Sequence, residues 1–290
     1  MHLTLPLLLF AAVASCQSQE PNKTDRAGAS DAQKVLDEVK QQFTKEGIVF
    51  DTKAETVTIP ATVNEAPDPI EYLLIHQRGK KHEAIFVTRC KPSVLNAALL
   101  MLGLQPGKNA TYTEKTPAPT LEEVQKGADP FLVTPPQGMN FWMTARWKTP
   151  EGKQEEYCVE DLVIDLSKQK PVENCTWVYL GGRMAPLYRN EPPVYVADFE
   201  GNLVSTCYMS PDNHLATMVH ANARDDSNWW KSALLPPHDT PVEFVFWKNE
   251  PQLHKDREKR LAKEAADAKA KDGKDKGNDK DAPKSDPAKK

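Results

Sequence analysis

Residues 70–89 constrain this chain most. Two strand-like runs, IEYLLIH and HEAIFVTR, flank the five-residue loop Gln77-Arg78-Gly79-Lys80-Lys81, a spacing that predicts a β-hairpin. With His76 opposite His82, the alternation of side chains sends Ile70, Tyr72, Leu74, Ala84 and Phe86 to one face. Leu73, Ile75, Ile85 and Val87 go to the other. A sheet that wets one side would alternate apolar with polar. Here both faces are apolar, so the hairpin is expected at the centre of the fold. Lys91-Pro92-Ser93 then opens a helix expected to bury Val94, Leu95, Ala98, Leu99, Met101 and Leu102 and to stop at Gly103.

Residues 33–45 place Val35, Leu36, Val39 and Phe43 on one helical face ahead of Gly47. Two β-like runs follow between Ile48 and Val63, with Pro60 marking an edge or an interruption, because proline cannot donate to a ladder. Later strands are expected near residues 140–148, 157–164, 176–180, 194–199, 203–209 and 242–247. Helices near the start and runs of strands after them predict an α+β fold, mostly antiparallel β, with a central hairpin and one or two packed helices.

The N-terminus reads as an address. The apolar run Leu3–Val13 ends in Val13-Ala14-Ser15-Cys16 and passes into polar Gln17-Ser18-Gln19-Glu20. It has the length of a secretory apolar core and is shorter than the roughly 20 residues that span a bilayer. Residues 1–16 therefore resemble a bacterial lipoprotein signal, with Cys16 the lipidated residue, and the protein is expected to face the periplasm or the cell exterior. Residues 17–31 read as a flexible tether, 32–252 as one α+β domain, and 253–290 as a charged low-complexity tail. Four cysteines remain, Cys90, Cys158, Cys175 and Cys207. In an oxidising compartment they permit up to two disulfides with three connectivities open, and Cys175–Cys207 is favoured because both lie in the strand-rich second half.

The stretch IEYLLIHQRGKKHEAIFVTRCKPSVLNAALLMLGLQPG resembles the YdjY domain family. The segments WVYLGG at 177–182, YVADFEG at 195–201 and PPHDTPV at 236–242 are similar to its later blocks. The likeness covers residues 46–248. It implies a secreted or envelope domain and hands over no catalytic residues.

Three chemistries compete. His76 and His82, facing each other across the first rung, could share a metal ion with a further ligand such as His220; a metal-binding hydrolase or redox protein would follow. Asp225 and Asp226 lie beside Trp229 and Trp230, a mixture of carboxylates and aromatics suited to a glycan platform. No G-x-S-x-G, H-E-x-x-H or phosphate loop occurs in the chain, and no cofactor beyond that metal ion is expected. The favoured reading is a lipid-anchored, non-enzymatic binding or assembly module. Its partners would be the membrane, through the lipid, and an envelope protein or cell-wall glycan. A net charge of −4 with a mildly basic tail leaves the domain acidic, which argues against nucleic acid.

Overall fold

A computed structural model describes residues 23–278. The chain divides into two units, Met1–Gln41 and Gln42–Lys290. The described part of the first belongs to helix α1 (Lys23–Lys45), where Asp37 accepts from Gln33 Nε2 at 2.9 Å and meets Lys40 at 3.9 Å. Leu36 on this helix is exposed. The signal, Cys16 and the beginning of the tether lie outside the described residues.

The second unit is built on eight strands: β1 (Thr56–Val63), β2 (Tyr72–His76), β3 (Ala84–Thr88), β4 (Asn140–Lys148), β5 (Thr176–Tyr179), β6 (Asn202–Ser205), β7 (Ala216–Val219) and β8 (Pro241–Trp247). Their hydrogen-bonded order is β1-β8-β4-β5-β7-β6-β2-β3, and β3 returns to β1, so the sheet closes into a barrel. Two of its seams, β6–β7 and β2–β3, are parallel and the rest antiparallel. This corrects the expected fold: the sheet is closed and mixed, and there is no central hairpin.

The correction turns on residues 77–83. They do not reverse the chain once and stop; they carry it back along β2, so that β3 runs parallel to β2 with Tyr72 beside Ala84 and His76 beside Thr88. Gly79 N–H donates to the His76 carbonyl at 2.7 Å and Glu71 N–H donates to the Glu83 carbonyl at 2.9 Å, marking the two ends of the return. Between them the Lys80 ammonium lies 5.6 Å from the centre of the Tyr72 ring and pairs with Glu71 and Glu83 at 3.2 and 3.1 Å. Parallel pairs ordinarily need a crossover of about a dozen residues. Here strands of five residues are short enough to be joined by seven, which turn at residues 77–79 and close with a 3-10 turn at Lys81–Glu83 before β3 begins.

Apolar alternation fills the barrel. Val57, Ile59 and Ala61 of β1 stand opposite Phe246, Phe244 and Val242 of β8, and Phe246 and Phe244 stand opposite Met143 and Ala145 of β4. All of these are buried. Phe244 meets Phe86 edge-on at 5.6 Å although β1 separates their strands, and Phe246 stacks on Phe141 of β4 at 6.2 Å. These rings meet across the interior, which makes it a packed core; each buried ring contributes about 1.5–3 kcal/mol. Pro60 lies where one side of β1 changes partner, the short strand Val49–Asp51 pairing with Thr56–Thr58 and β3 with Thr62 and Val63.

Helix α2 (Pro92–Met101) buries Pro92, Leu95, Ala98 and Leu99, and Gly103 at φ 94° ends it; Met101, expected inside, is exposed. The run at 194–199 is not one strand: Val194 and Tyr195 pair with Met184 and Ala185, and helix α4 (Val196–Glu200) takes the rest, after the short α3 (Leu121–Gln125). Helix α5 (Gln252–Asn278) begins on the outside of the barrel, where His254 meets Trp142 edge-on at 6.3 Å. Arg257, in the stretch read as a low-complexity tail, is 4% exposed. Its guanidinium donates to Asp161 at 2.9 Å and to the Val172 carbonyl at 2.6 Å. Close by, the buried Glu160 accepts from Trp177 Nε1 at 2.9 Å.

Candidate functional site

Where β2 and β3 finish, a surface cleft of about 620 Å³ opens between the strand ends, the start of α2 and the segment 187–199. His76, the last residue of β2, is buried there, and its Nδ1 accepts from the Arg78 N–H at 3.3 Å. Burial first, and then the Arg78 charge, hold its pKa below the ordinary histidine value. Asp198 of α4 caps α2 by accepting from Ser93 N–H at 2.7 Å and pairs with Lys91 at 3.4 Å. Glu46 accepts from the Lys91 N–H at 2.8 Å, and the Tyr195 hydroxyl donates to the Gly181 carbonyl at 2.8 Å. Each of these groups is thus tied into the frame. Arg78 and Arg89 are exposed, and among the described residues neither has an ion-pair partner. Leu187, Val194 and Phe199 form an apolar wall beside them, with Phe199 56% exposed. Two unpaired guanidiniums next to exposed hydrocarbon can recognise an anion attached to an apolar group.

One family model matches, that of the YdjY domain, over residues 48–247. The chain belongs to the YdjY domain family. No curated protein and no solved structure matches it. The matched span contains all eight barrel strands and all of the cleft except Glu46. The YdjY domain therefore contains the whole barrel, and in the chain α1 precedes the matched span and α5 follows it.

Within the YdjY domain the histidines are not brought together as expected. Because β2 and β3 run in the same direction, His76 lies beside Thr88, while His82 sits in the returning loop, exposed, 3.0 Å from the Glu83 carboxylate. His220 follows β7, which is parallel to β6 and so opposite in direction to β2; it belongs to the other end of the barrel. There its Nδ1 accepts from Asn222 N–H at 3.0 Å and its ring packs edge-on against Trp229 at 5.3 Å. Among the described residues no group of three or more His, Cys, Asp and Glu is placed to hold a metal ion.

The aromatic pair is also divided. Trp229 is fully buried and cannot offer its face to a sugar, whereas Trp230 is 40% exposed. Asp225 accepts from Ser227 N–H at 2.9 Å and Oγ at 2.6 Å, and it and Asp226 lie at the surface. Cys175 and Cys207 are free thiols, as are Cys90 and Cys158. Cys175 precedes β5, where burial and then Glu160 push its thiol well up; burial pushes Cys207, beside Glu71, up to about 12. Cys175 lies near Glu160 and Arg257, and Cys207 near Glu71 and Ser205. Arg78, Arg89, Lys91 and Asp198 escaped the sequence reading. Their only signal was position: two arginines just beyond the apolar runs, and one aspartate inside the family block Tyr195–Gly201.

Proposed function

We propose that this protein is a lipid-anchored, envelope-facing binding or assembly module that recognises an anionic partner with an apolar portion. The observation that carries this reading is the division of labour in the cleft. His76, Asp198, Glu46 and Tyr195 are committed to structural hydrogen bonds, while Arg78 and Arg89 are left with open donors beside Val194 and Phe199. Free cations on a rigid strand end suit recognition, because little side-chain or backbone order remains to be lost on binding. The filled barrel supports the same reading by leaving the surface as the place for a ligand. The apolar leader and Cys16 supply the anchor in this proposal.

The test is photo-crosslinking of the full chain in the envelope of living cells, with a photoreactive amino acid in place of the exposed Gln77. A discrete adduct that disappears in Arg78→Glu/Arg89→Glu is the expected result. No adduct, or one indifferent to the charge reversal, overturns the proposal.

A further inference from the structure

A second surface on the same chain complements the cleft. The strands Thr111–Glu114 and Phe131–Thr134 pair only with each other and, with α3 between them, form an arm. Its root is fixed to the barrel: the Tyr112 hydroxyl donates to the Tyr208 carbonyl at 3.3 Å, Asn109 Nδ2 donates to the Met209 carbonyl at 2.7 Å, and Arg224 pairs with Asp129. Its outer part exposes Leu121 at 75% and Leu132 at 61%. Residues 111–134 carry four carboxylates against two lysines; Asp129 is taken up by Arg224 and Glu122 by Lys126 at 2.6 Å, and among the described residues Glu114 and Glu123 have no cationic partner. The arm is therefore apolar and acidic where the cleft is apolar and basic.

The side-chain contacts that tie the arm down lie at the other end of the barrel from the cleft. Strand β6 leaves the cleft end, where Gly201 carbonyl accepts from His76 N–H at 2.7 Å, and delivers the chain to Tyr208 and Met209 at the root of the arm. Tied down at that end, the arm is held away from its own cleft and left open to the cleft of a neighbour. Resting on the reading of the cleft given above, we infer that its partner is a second copy of this chain, whose arm places Leu121 and Leu132 against Val194 and Phe199 and Glu114 and Glu123 near Arg78 and Arg89. Such a contact uses two different patches, so it is head-to-tail and builds rings or open rows of anchored molecules. A root held by three polar contacts keeps the arm ordered before it docks, which lowers the cost of association.

The experiment uses two full-length chains co-expressed in cells, one with Leu132→Cys and the other with Phe199→Cys, followed by mild oxidation. Both positions are exposed, so neither change disturbs the core. A covalent dimer is expected from the mixed pair, and it should be lost with Arg78→Glu/Arg89→Glu in the Phe199→Cys chain. Leu234→Cys, exposed but away from the arm, is the control and should give no dimer with Phe199→Cys. Equal crosslinking by arm and control, or none by the arm, overturns the inference. The Gln77 adduct then separates the two readings: an adduct with a different molecule removes the self-docking arm and leaves the binding cleft, whereas no adduct removes both.

Discussion

His214 is 1% exposed, and its Nε2 has no hydrogen-bond partner among the described residues. Burial alone draws its pKa from 6.5 down to about 4. The folded value lies below the unfolded one, so the unfolded chain binds the proton first and the neutral ring favours the fold at higher pH. Its contribution is complete above about pH 6.5 and is lost as pH falls towards about 4, amounting to about 3 kcal/mol. Urea midpoints at pH 7 and pH 4.5 should differ accordingly. In His214→Leu that part of the difference should vanish, with no change in the trend above pH 7. None of this is visible in the sequence, where His214 is one histidine among 7 and lies in a polar stretch; only the packing around it decides its titration.

At the scale of elements, the return of residues 77–83 along β2 depends on close contact between two backbones. A Cβ on Gly79 would lie 2.6 Å from the Gly201 carbonyl oxygen, which is itself bonded to His76 N–H. Gly79→Ala must push β6 away from β2 or displace the loop. It should cost more than about 1 kcal/mol, measured by urea denaturation, and should weaken adduct formation at the neighbouring Gln77. The same segment explains where sequence reading stops. Alternation located β2, β3, β4 and β8 to within a residue or two because burial on a pleated surface has a period of two. Alternation is blind to strand direction, however, and a five-residue glycine loop is the ordinary mark of a hairpin. Only the seat for Gly79 beside Gly201, which lies far away in sequence, separates a hairpin from a parallel return. The run 194–199 failed for another reason, since a short apolar stretch packs equally well as strand or helix. There Gly201, at φ 75°, closes α4.

At the scale of the whole molecule, α5 joins a charged sequence to a packed barrel through its first turns, where Arg257 is buried, His254 meets Trp142 and Arg260 reaches Asp161 at 3.6 Å. Its later turns carry no side chain as buried as Arg257 among those described. A chain ending after Ala262 should therefore keep the urea midpoint of the full protein. A chain ending after Glu250 loses Arg257 and leaves Asp161 without its guanidinium, and next to it Glu160, whose carboxyl burial already pushes up. It should be less stable by about 3 kcal/mol, and Trp142, uncovered from His254, should shift its fluorescence to longer wavelength. Unchanged stability in the shorter chain would show that the helix only rests on the barrel.

The sequence by itself determined the family, most of the strands, the buried helix α2 and the identity of the core side chains, because these follow from local periodicity, turn residues and side-chain chemistry. The tertiary structure alone decided that the sheet closes, that β2 and β3 are parallel, that His76, His82 and His220 stand apart, and that Arg78 and Arg89 meet an apolar wall. Each of those is a relation between segments distant in the chain, and hydrophobic patterning specifies which face of a segment is buried without specifying which other segment will bury it.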